Sequence, residues 1–471
     1  MPAGYYDQLI AQFYAIRPGF TPQELAVLLA ADQLYRHQPE DLAEFRKIYA
    51  HFDPTILKRP HQGITFTRIA SEGGRADQVR RKLTAYMNIK FHDARHYRDY
   101  RANAALFERN ARVASEILED ILARSALPAP ILEVLMEREA VRTCHDFYDM
   151  LNLYRRSRDP RIRYEILRKI GLFVLVARIN RSVEIAEMDV KRRQVSQAFH
   201  RGLRGSPRGV KEIFFWVTET DQIAFESDPL KARGSYRKAV KGRLRAGRPL
   251  LPIERFRFRP FLTFSGIPVL HMEIRDKFRY RGRLSYTSCV EKMVRKNLEF
   301  PNQVHDIIGV KIVVEKESQV SGMIHDLESF LGGSSTRKKE KNTYHRFGKQ
   351  RLQETSPPQY VVWKAIYDIP LPHPSIAPLR KVLNRIRGNQ PVCDEIRKRL
   401  RSLADRPKDF VIEVQIQDLR SYLLGIARGS PIEHARLKTD QIRSNSLYKF
   451  FPKEIYEREM EQLKRRLLCG R

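Results

Sequence analysis

Cysteine is scarce in this chain: four residues in 471, at Cys144, Cys289, Cys393 and Cys469, far apart and with no C-x-x-C pair. That excludes a disulfide framework or a cysteine-rich zinc site and fits a reducing cytosol. Long hydrophobic runs are missing too. The longest, Gly171 to Ala177, is far too short to cross a bilayer. The opening residues, "MPAGYYDQLIAQFYAIRPGF", lack a basic stretch followed by an apolar one, so no export leader is expected. A cytoplasmic protein with no membrane partner is the expectation. Internal repeats and low-complexity tracts are absent. Acidic residues are in short supply, 55 against 87 Lys and Arg, leaving a net charge of +32. Part of that excess is solvated surface. The rest points to polyanions, either nucleotides or nucleic acid.

With 42% hydrophobic and 30% charged residues the composition is that of a globular protein, and the length suggests about three domains. From Thr21 to Leu203 the pattern is helical. Thr21-Pro22-Gln23-Glu24 is a capping box with proline at the first helical position. Long helices are expected over 77–124, 131–154 and 160–202, with Leu127-Pro128-Ala129-Pro130 as a break. A basic linker or subdomain, 204–265, follows. Its stretch from Lys231 to Arg259 holds eleven basic residues against Glu254 alone, interleaved with Tyr236, Phe256 and Phe258, and Phe261 lies just beyond. Two readings stay open: a backbone-binding surface with stacking aromatics, or a strand, since "RFRFRPFLTF" alternates at period two.

Beyond residue 266 strands and helices mix. Strands are expected at 267–278, 307–314, 360–369 and 410–416, and helices at 288–298, 318–331 and 379–403. Ser334 to Arg351 reads as a polar basic loop, and a basic helix closes the chain at 453–468. The fold class is therefore α+β: a helical N-terminal half (1–203), then a small mixed sheet with packed helices (266–452) and a C-terminal helix (453–471).

Two acidic positions stand out in this basic chain. Asp306 opens the β-branched run "DIIGVKIVV". In "FVIEVQI", Glu413 and Gln415 share one side of a strand and their apolar neighbours the other. Carboxylates on neighbouring strands, with cations nearby, are what magnesium-assisted phosphate transfer requires.

These residues, in order, resemble the synthetase domain of the RelA/SpoT alarmone enzymes. The likeness runs through Ser288, Lys292-Met293, Arg295-Lys296, Asp306 to Ile312, Tyr360, Glu413 to Ile416, Glu433-His434 and Lys438, over roughly a third of the chain. It implies ATP and a guanosine nucleotide as substrates, Mg2+ held by Asp306 and Glu413, and transfer of the ATP diphosphate to a ribose hydroxyl. Glu413 would accept the hydroxyl proton, with Gln415 orienting it. Arg281, Arg283, Ser288, Lys292 and Arg295 would hold the donor phosphates, and Arg275-Asp276-Lys277 is the alternative donor loop. Tyr360, Lys364 and His434 would bind the acceptor. The chain departs from the family at Lys311 (usually Arg), at Lys364 (usually His) and at Asp418-Leu419 (a Thr), and it adds a basic helix, Leu379 to Arg406. Some relatives modify the 3′ end of tRNA instead. That makes tRNA or ribosomal RNA an alternative partner, and a catalytically lapsed nucleotide or RNA sensor a third reading. Longer family members carry a metal-dependent hydrolase. His145-Asp146 and Asp149 resemble part of it, but Arg109 stands where a further histidine ligand is needed, so no hydrolase is assigned.

Overall fold

The computed structural model describes residues 21–34, 100–182, 185–204, 209–280, 283–298, 301–304, 306–331, 336–342, 361–371, 394, 397, 408–430 and 432–469. In chain order the helical part comprises α1 (Pro22–Leu34), α2 (Tyr100–Ser125), α3 (Ala129–Leu135), α4 (Glu139–Arg142), α5 (Phe147–Arg156), α6 (Pro160–Ser182) and α7 (Ile185–Arg201). Then come β1 (Leu203–Arg204), β2 (Lys211–Val217), β3 (Ile223–Glu226), α8 (Pro229–Arg245), β4 (Glu254–Phe258), β5 (Phe261–Thr263) and β6 (Pro268–Asp276). A two-strand ribbon, β7 (Arg279–Tyr280) and β8 (Arg283–Leu284), precedes α9 (Thr287–Arg295), β9 (Ile308–Val314) and α10 (Val320–Leu331). The chain ends with β10 (Thr336–Asn342), β11 (Trp363–Leu371), β12 (Lys408–Asp418), α11 (Leu419–Ile426), α12 (His434–Asn445), α13 (Leu447–Phe450) and α14 (Lys453–Cys469). The fold is α+β.

Two compact units emerge. One takes 4–184, 278–304 and 438–471; the other takes 185–277 and 305–437 together with the first three residues. In the helical unit, Phe107 and Ala111 of α2 pack with Phe147 and Met150 of α5 and Phe173 and Val174 of α6. The capping box at its start is formed: Thr21 Oγ1 accepts from the Glu24 N–H, and the Glu24 carboxylate accepts from the Thr21 N–H at 2.7 Å. The helical stretch expected over 131–154 is three helices, because backbone partners change along it. Arg138 turns its N–H to the Glu165 carboxylate at 2.8 Å, and Asp146 caps a new helix by accepting from the Asp149 N–H. Over 160–202 the described residues form α6 and α7, and 183–184 lie outside them.

The second unit is built on a seven-stranded sheet of order β1-β5-β6-β9-β12-β11-β10. Within it β9 and β12 run parallel and every other pair is antiparallel. The four expected strands are β6, β9, β11 and β12. The expected polar loop from Ser334 begins as a strand: β10 pairs with β11, and the Trp363 indole N–H donates to the Glu340 carboxylate at 2.6 Å. Residues 343–351 of that segment, and the helix expected over 379–403 apart from 394 and 397, lie outside the described residues, as do 77–99.

Residues 204–265 carry β2, β3 and β4, which form a second sheet of order β3-β2-β4. The period-two reading of "RFRFRPFLTF" is the one realised. Phe256 and Phe258 point inward and stack at 5.5 Å between centroids, while Arg255 and Arg257 face solvent on Glu212. The aromatics are therefore core, not stacking platforms. This sheet packs through Ile213, Phe215 and Phe258 against Val313 of β9 and Leu419, Tyr422 and Leu423 of α11. Among the described residues no helix is long and apolar enough to cross a membrane.

Candidate active site

Strand register decides which side chains meet. Residues paired across neighbouring strands point to the same side, so one face of the large sheet carries two rows. The first runs Arg275, Gly309, Glu413, Ile366 across β6, β9, β12 and β11; the second runs Glu273, Lys311, Gln415, Lys364. The opposite face carries Ile308, Val310, Val414, Ile416 and Trp363, all buried. Alternation in "HMEIRD", "GVKI" and "EVQIQ" thus sends Met272, Ile274, Val310, Ile312, Val414 and Ile416 one way and builds a charged layer on the other, interrupted at Ile366 and Val313.

Glu413 is the centre of that layer, 7% exposed. Its Oε1 accepts from Gln415 Nε2 at 2.6 Å, and its Oε2 pairs with the Lys364 ammonium. Its partner across the parallel ladder is Gly309, which puts no side chain on this face. Among the described residues, a Cβ built there would meet only the Glu413 backbone oxygen, at 3.8 Å. Asp306 sits in the turn two residues before β9 and pairs with Lys277 Nζ at 3.1 Å, while the Lys277 N–H bonds Ile307 O and ties the end of β6 to that turn.

On β6, Arg275 and His271 both reach Glu273. Burial alone would raise the Glu273 carboxyl, but the hydrogen bonds and charges of His271 and Arg275 overcome it and hold it at about 2. Lys311 is 9% exposed, with its ammonium 5.6 Å from the centre of the Tyr422 ring. Burial first, and Arg275 second, pull its pKa down to about 8 against the opposing pull of Glu273 and Glu413.

Of the expected site residues, Glu413, Gln415 and Lys364 are in direct contact, and Asp306 stands at the mouth of the adjacent strand with Lys277. Lys364, expected to face an acceptor, instead lies on Glu413. His434 is the first residue of α12. Tyr360 and Arg281 lie outside the described residues, and of Arg283 only the backbone, in β8, is described. Ser288, Lys292 and Arg295 are on α9 in the helical unit. There Ser288 Oγ accepts from Arg124 at 3.1 Å and Arg295 pairs with Glu291 at 2.9 Å, so both are engaged with neighbours in their own unit. In the alternative donor loop, the Arg275 and Lys277 side chains lie on Glu273 and Asp306 of the sheet unit. Glu273, His271 and Tyr422 were not singled out from sequence, although "HMEIRD" alternates as clearly as "IEVQI". Asp418 caps α11 by accepting from the Ser421 N–H at 3.0 Å. His145 and Asp146 are structural: Asp146 caps α5, and burial with Lys169 and Arg112 lowers the His145 pKa.

Among the described residues no group of three or more His, Cys, Asp and Glu side chains could hold a metal ion. Magnesium does not need one, since it takes one or two carboxylates and completes its shell with water and phosphate oxygens. Asp306 and Glu413 supply hard oxygen donors of that kind. Each is now neutralised by a lysine that the ion would have to displace.

No family model matches the chain, and no curated protein matches it. Solved structures do. A small alarmone synthetase of Bacillus subtilis bound to its product pppGpp aligns at 16% identity over 41% of this chain and 76% of that one, with a TM-score of 0.24. A GTP pyrophosphokinase family protein from Streptococcus pneumoniae aligns at 15% identity over 51% and 81%, also at 0.24. A second structure of the Bacillus synthetase gives 14% identity over 51% and 92%, again at 0.24.

Proposed function

We propose that the chain is a pyrophosphokinase that moves the β,γ-diphosphate of ATP to a ribose hydroxyl of a guanosine nucleotide. The observation that carries this reading is the Glu413 carboxylate, oriented by Gln415 and set across the ladder from the side-chain-free position Gly309, with Asp306 at the mouth of the neighbouring parallel strand. In the reaction, the ribose oxygen attacks the β-phosphorus of ATP. The bond from that phosphorus to the α,β-bridging oxygen breaks, AMP leaves, and Glu413 takes the hydroxyl proton. The rest of the work is positioning and charge neutralisation. Magnesium held by Asp306 and Glu413 would neutralise phosphate charge. Arg275 and Lys277 supply cations on the same unit. Arg281, Arg283, Ser288, Lys292 and Arg295 remain the donor-phosphate assignments, and Tyr360, Lys364 and His434 the acceptor ones, on the resemblance alone.

A second reading keeps the chemistry and replaces the acceptor with an RNA 3′ end. It is favoured by the exposed cations of α8. The deciding experiment incubates the protein with γ-labelled ATP and, separately, GTP, GDP and bulk tRNA, following both labelled product and AMP. Label transfer with matching AMP release supports diphosphate transfer, and the species labelled names the acceptor. Label transfer with ADP release instead, or none with any acceptor, defeats the proposal.

A further inference from the structure

The cations of α8 are used in two ways. Arg243 is buried, with Nε donating to Pro249 O at 2.8 Å and Nη1 to Thr218 O at 2.7 Å. Lys231, Arg233, Arg237, Lys238, Lys241 and Arg245 are all exposed, and the side chain of none of them hydrogen-bonds or ion-pairs with a described residue. The helix contains no Asp or Glu.

Four of the six, Arg233, Arg237, Lys241 and Arg245, recur every fourth residue. At ~1.5 Å per residue they form a row with a step of ~6 Å, comparable to the step between neighbouring phosphates of one nucleic-acid strand. Like charges four apart destabilise a helix by ~0.2–0.5 kcal/mol per pair, and nothing within α8 offsets this. The row is held rigidly all the same. Asp228 caps the helix by accepting from the Leu230 and Lys231 N–H groups, and Ala232 and Ala239 are buried around Trp216 of β2.

An anionic membrane would also attract this charge, but insertion needs an apolar face on the exposed side. The apolar face of α8 is already spent on its sheet. The exposed leucines, Leu230 and Leu244, stand singly near opposite ends. Within α8 itself no ring is free for base stacking, since the Tyr236 hydroxyl is tied to Leu251 O and its ring packs edge-on against Trp216. We infer that α8 is a docking rail for the sugar–phosphate backbone of single-stranded nucleic acid, read by charge and without regard to base sequence.

The test is fluorescence anisotropy with fluorescein-labelled 20-nucleotide RNAs of two unrelated sequences, titrated between 50 and 200 mM salt without ATP. Omitting ATP makes the result independent of diphosphate transfer. For single strands each phosphate contact contributes ~0.7 to the salt slope. The variant Arg233→Gln/Arg237→Gln/Lys241→Gln/Arg245→Gln should therefore flatten the slope by about 3 and remove about fifty-fold of the wild type's loss of affinity over this range. Both RNAs, and a DNA of equal length, should behave alike. A control with the same change in net charge, Arg155→Gln/Arg156→Gln/Arg465→Gln/Arg466→Gln, should bind like wild type. These four positions are exposed on α5 and α14. Unchanged binding by the α8 variant overturns the inference, and so does an equal loss in the control. Sedimentation with phosphatidylserine vesicles that depends on the α8 cations, without RNA binding, would assign the face to membrane and overturn it as well. Thermal melting of both variants confirms that each is folded.

Discussion

Glu413→Gln is the sharpest perturbation, because it keeps the shape of the side chain and removes one charge. In the native protein one carboxylate oxygen accepts from Gln415 and the other meets Lys364. Glutamine offers one acceptor and one donor group where the carboxylate offers two acceptors, so it can satisfy only one of these partners. The loss is one charge-assisted hydrogen bond, ~1.5–3 kcal/mol in a buried setting. The Lys364 side chain is 28% exposed against 9% for Glu413, so its ammonium can turn to water. The net cost should fall to about 1–2 kcal/mol, below the ~3–5 kcal/mol of a fully buried pair cut in half. In Tm that is about 2–4 °C per kcal/mol for a unit of this size.

The effect on activity should be far larger. Losing a general base costs ~10²–10⁴-fold in rate, and losing a carboxylate that meets the metal adds to it. The assay is label transfer from γ-labelled ATP at saturating acceptor, with melting recorded on the same samples. A folded Glu413→Gln protein that transfers label within tenfold of wild type would remove Glu413 from the chemistry. A protein that melts far lower would show that the residue is mainly a strut of the sheet.

Thiol accessibility gives an independent check. Burial pushes Cys144 up to about 11, Cys289 is fully buried and Cys469 is exposed. With Cys393 replaced by serine, iodoacetamide at pH 8 should label Cys469 first and Cys144 on the order of a hundredfold more slowly, with Cys289 labelled only on unfolding. Peptide mapping showing Cys144 and Cys469 modified at one rate would contradict this. The pH dependence of Glu273 follows from its depressed pKa, about 2 against an ordinary 4.5. Its stabilisation is full above about 4.5 and is lost as pH falls toward about 2. The Tm gap between wild type and Glu273→Gln should narrow over that window, and a constant gap would refute the argument. For the acceptor, Tyr360→Ala should weaken acceptor use by ~1–3 kcal/mol, as for lost base stacking, and leave ATP binding unchanged. Loss of both substrates with a lowered Tm would make Tyr360 a core residue.

Strands carrying a strict alternation were legible in the sequence. The run "VIEVQIQ" has two faces of opposite character, and β12 places its apolar residues on the buried side. What sequence could not give was the pairing. Whether Glu413 faces Gly309 or Lys311 depends on a register fixed by residues a hundred positions apart. The helix breaks after Leu135 and Arg142 were hidden for a related reason. Arg138 leaves the helix because Glu165, on another helix, takes its N–H. Phe256 and Phe258 were ambiguous from composition alone, since aromatics among arginines suit both a binding face and an amphipathic strand.

The charged layer on the sheet is costly where it stands. Glu413 and Lys311 are each below a tenth exposed, and residues of their size could pack there as Val or Leu at no desolvation cost. The same face turns apolar only two residues further along β9, at Val313, where α11 and the small sheet cover it. Burial by itself therefore does not require charge at this level of the sheet. The chain places Glu273, Lys311, Glu413, Gln415 and Lys364 side by side in neighbouring strands and leaves Gly309 empty among them. Lys311 makes the same point from the other side. Burial lowers its pKa, so at neutral pH its charge is held against a desolvation penalty. Lys311 is thus held as a cation beside Glu273 and Glu413, the two carboxylates whose charge works against that penalty.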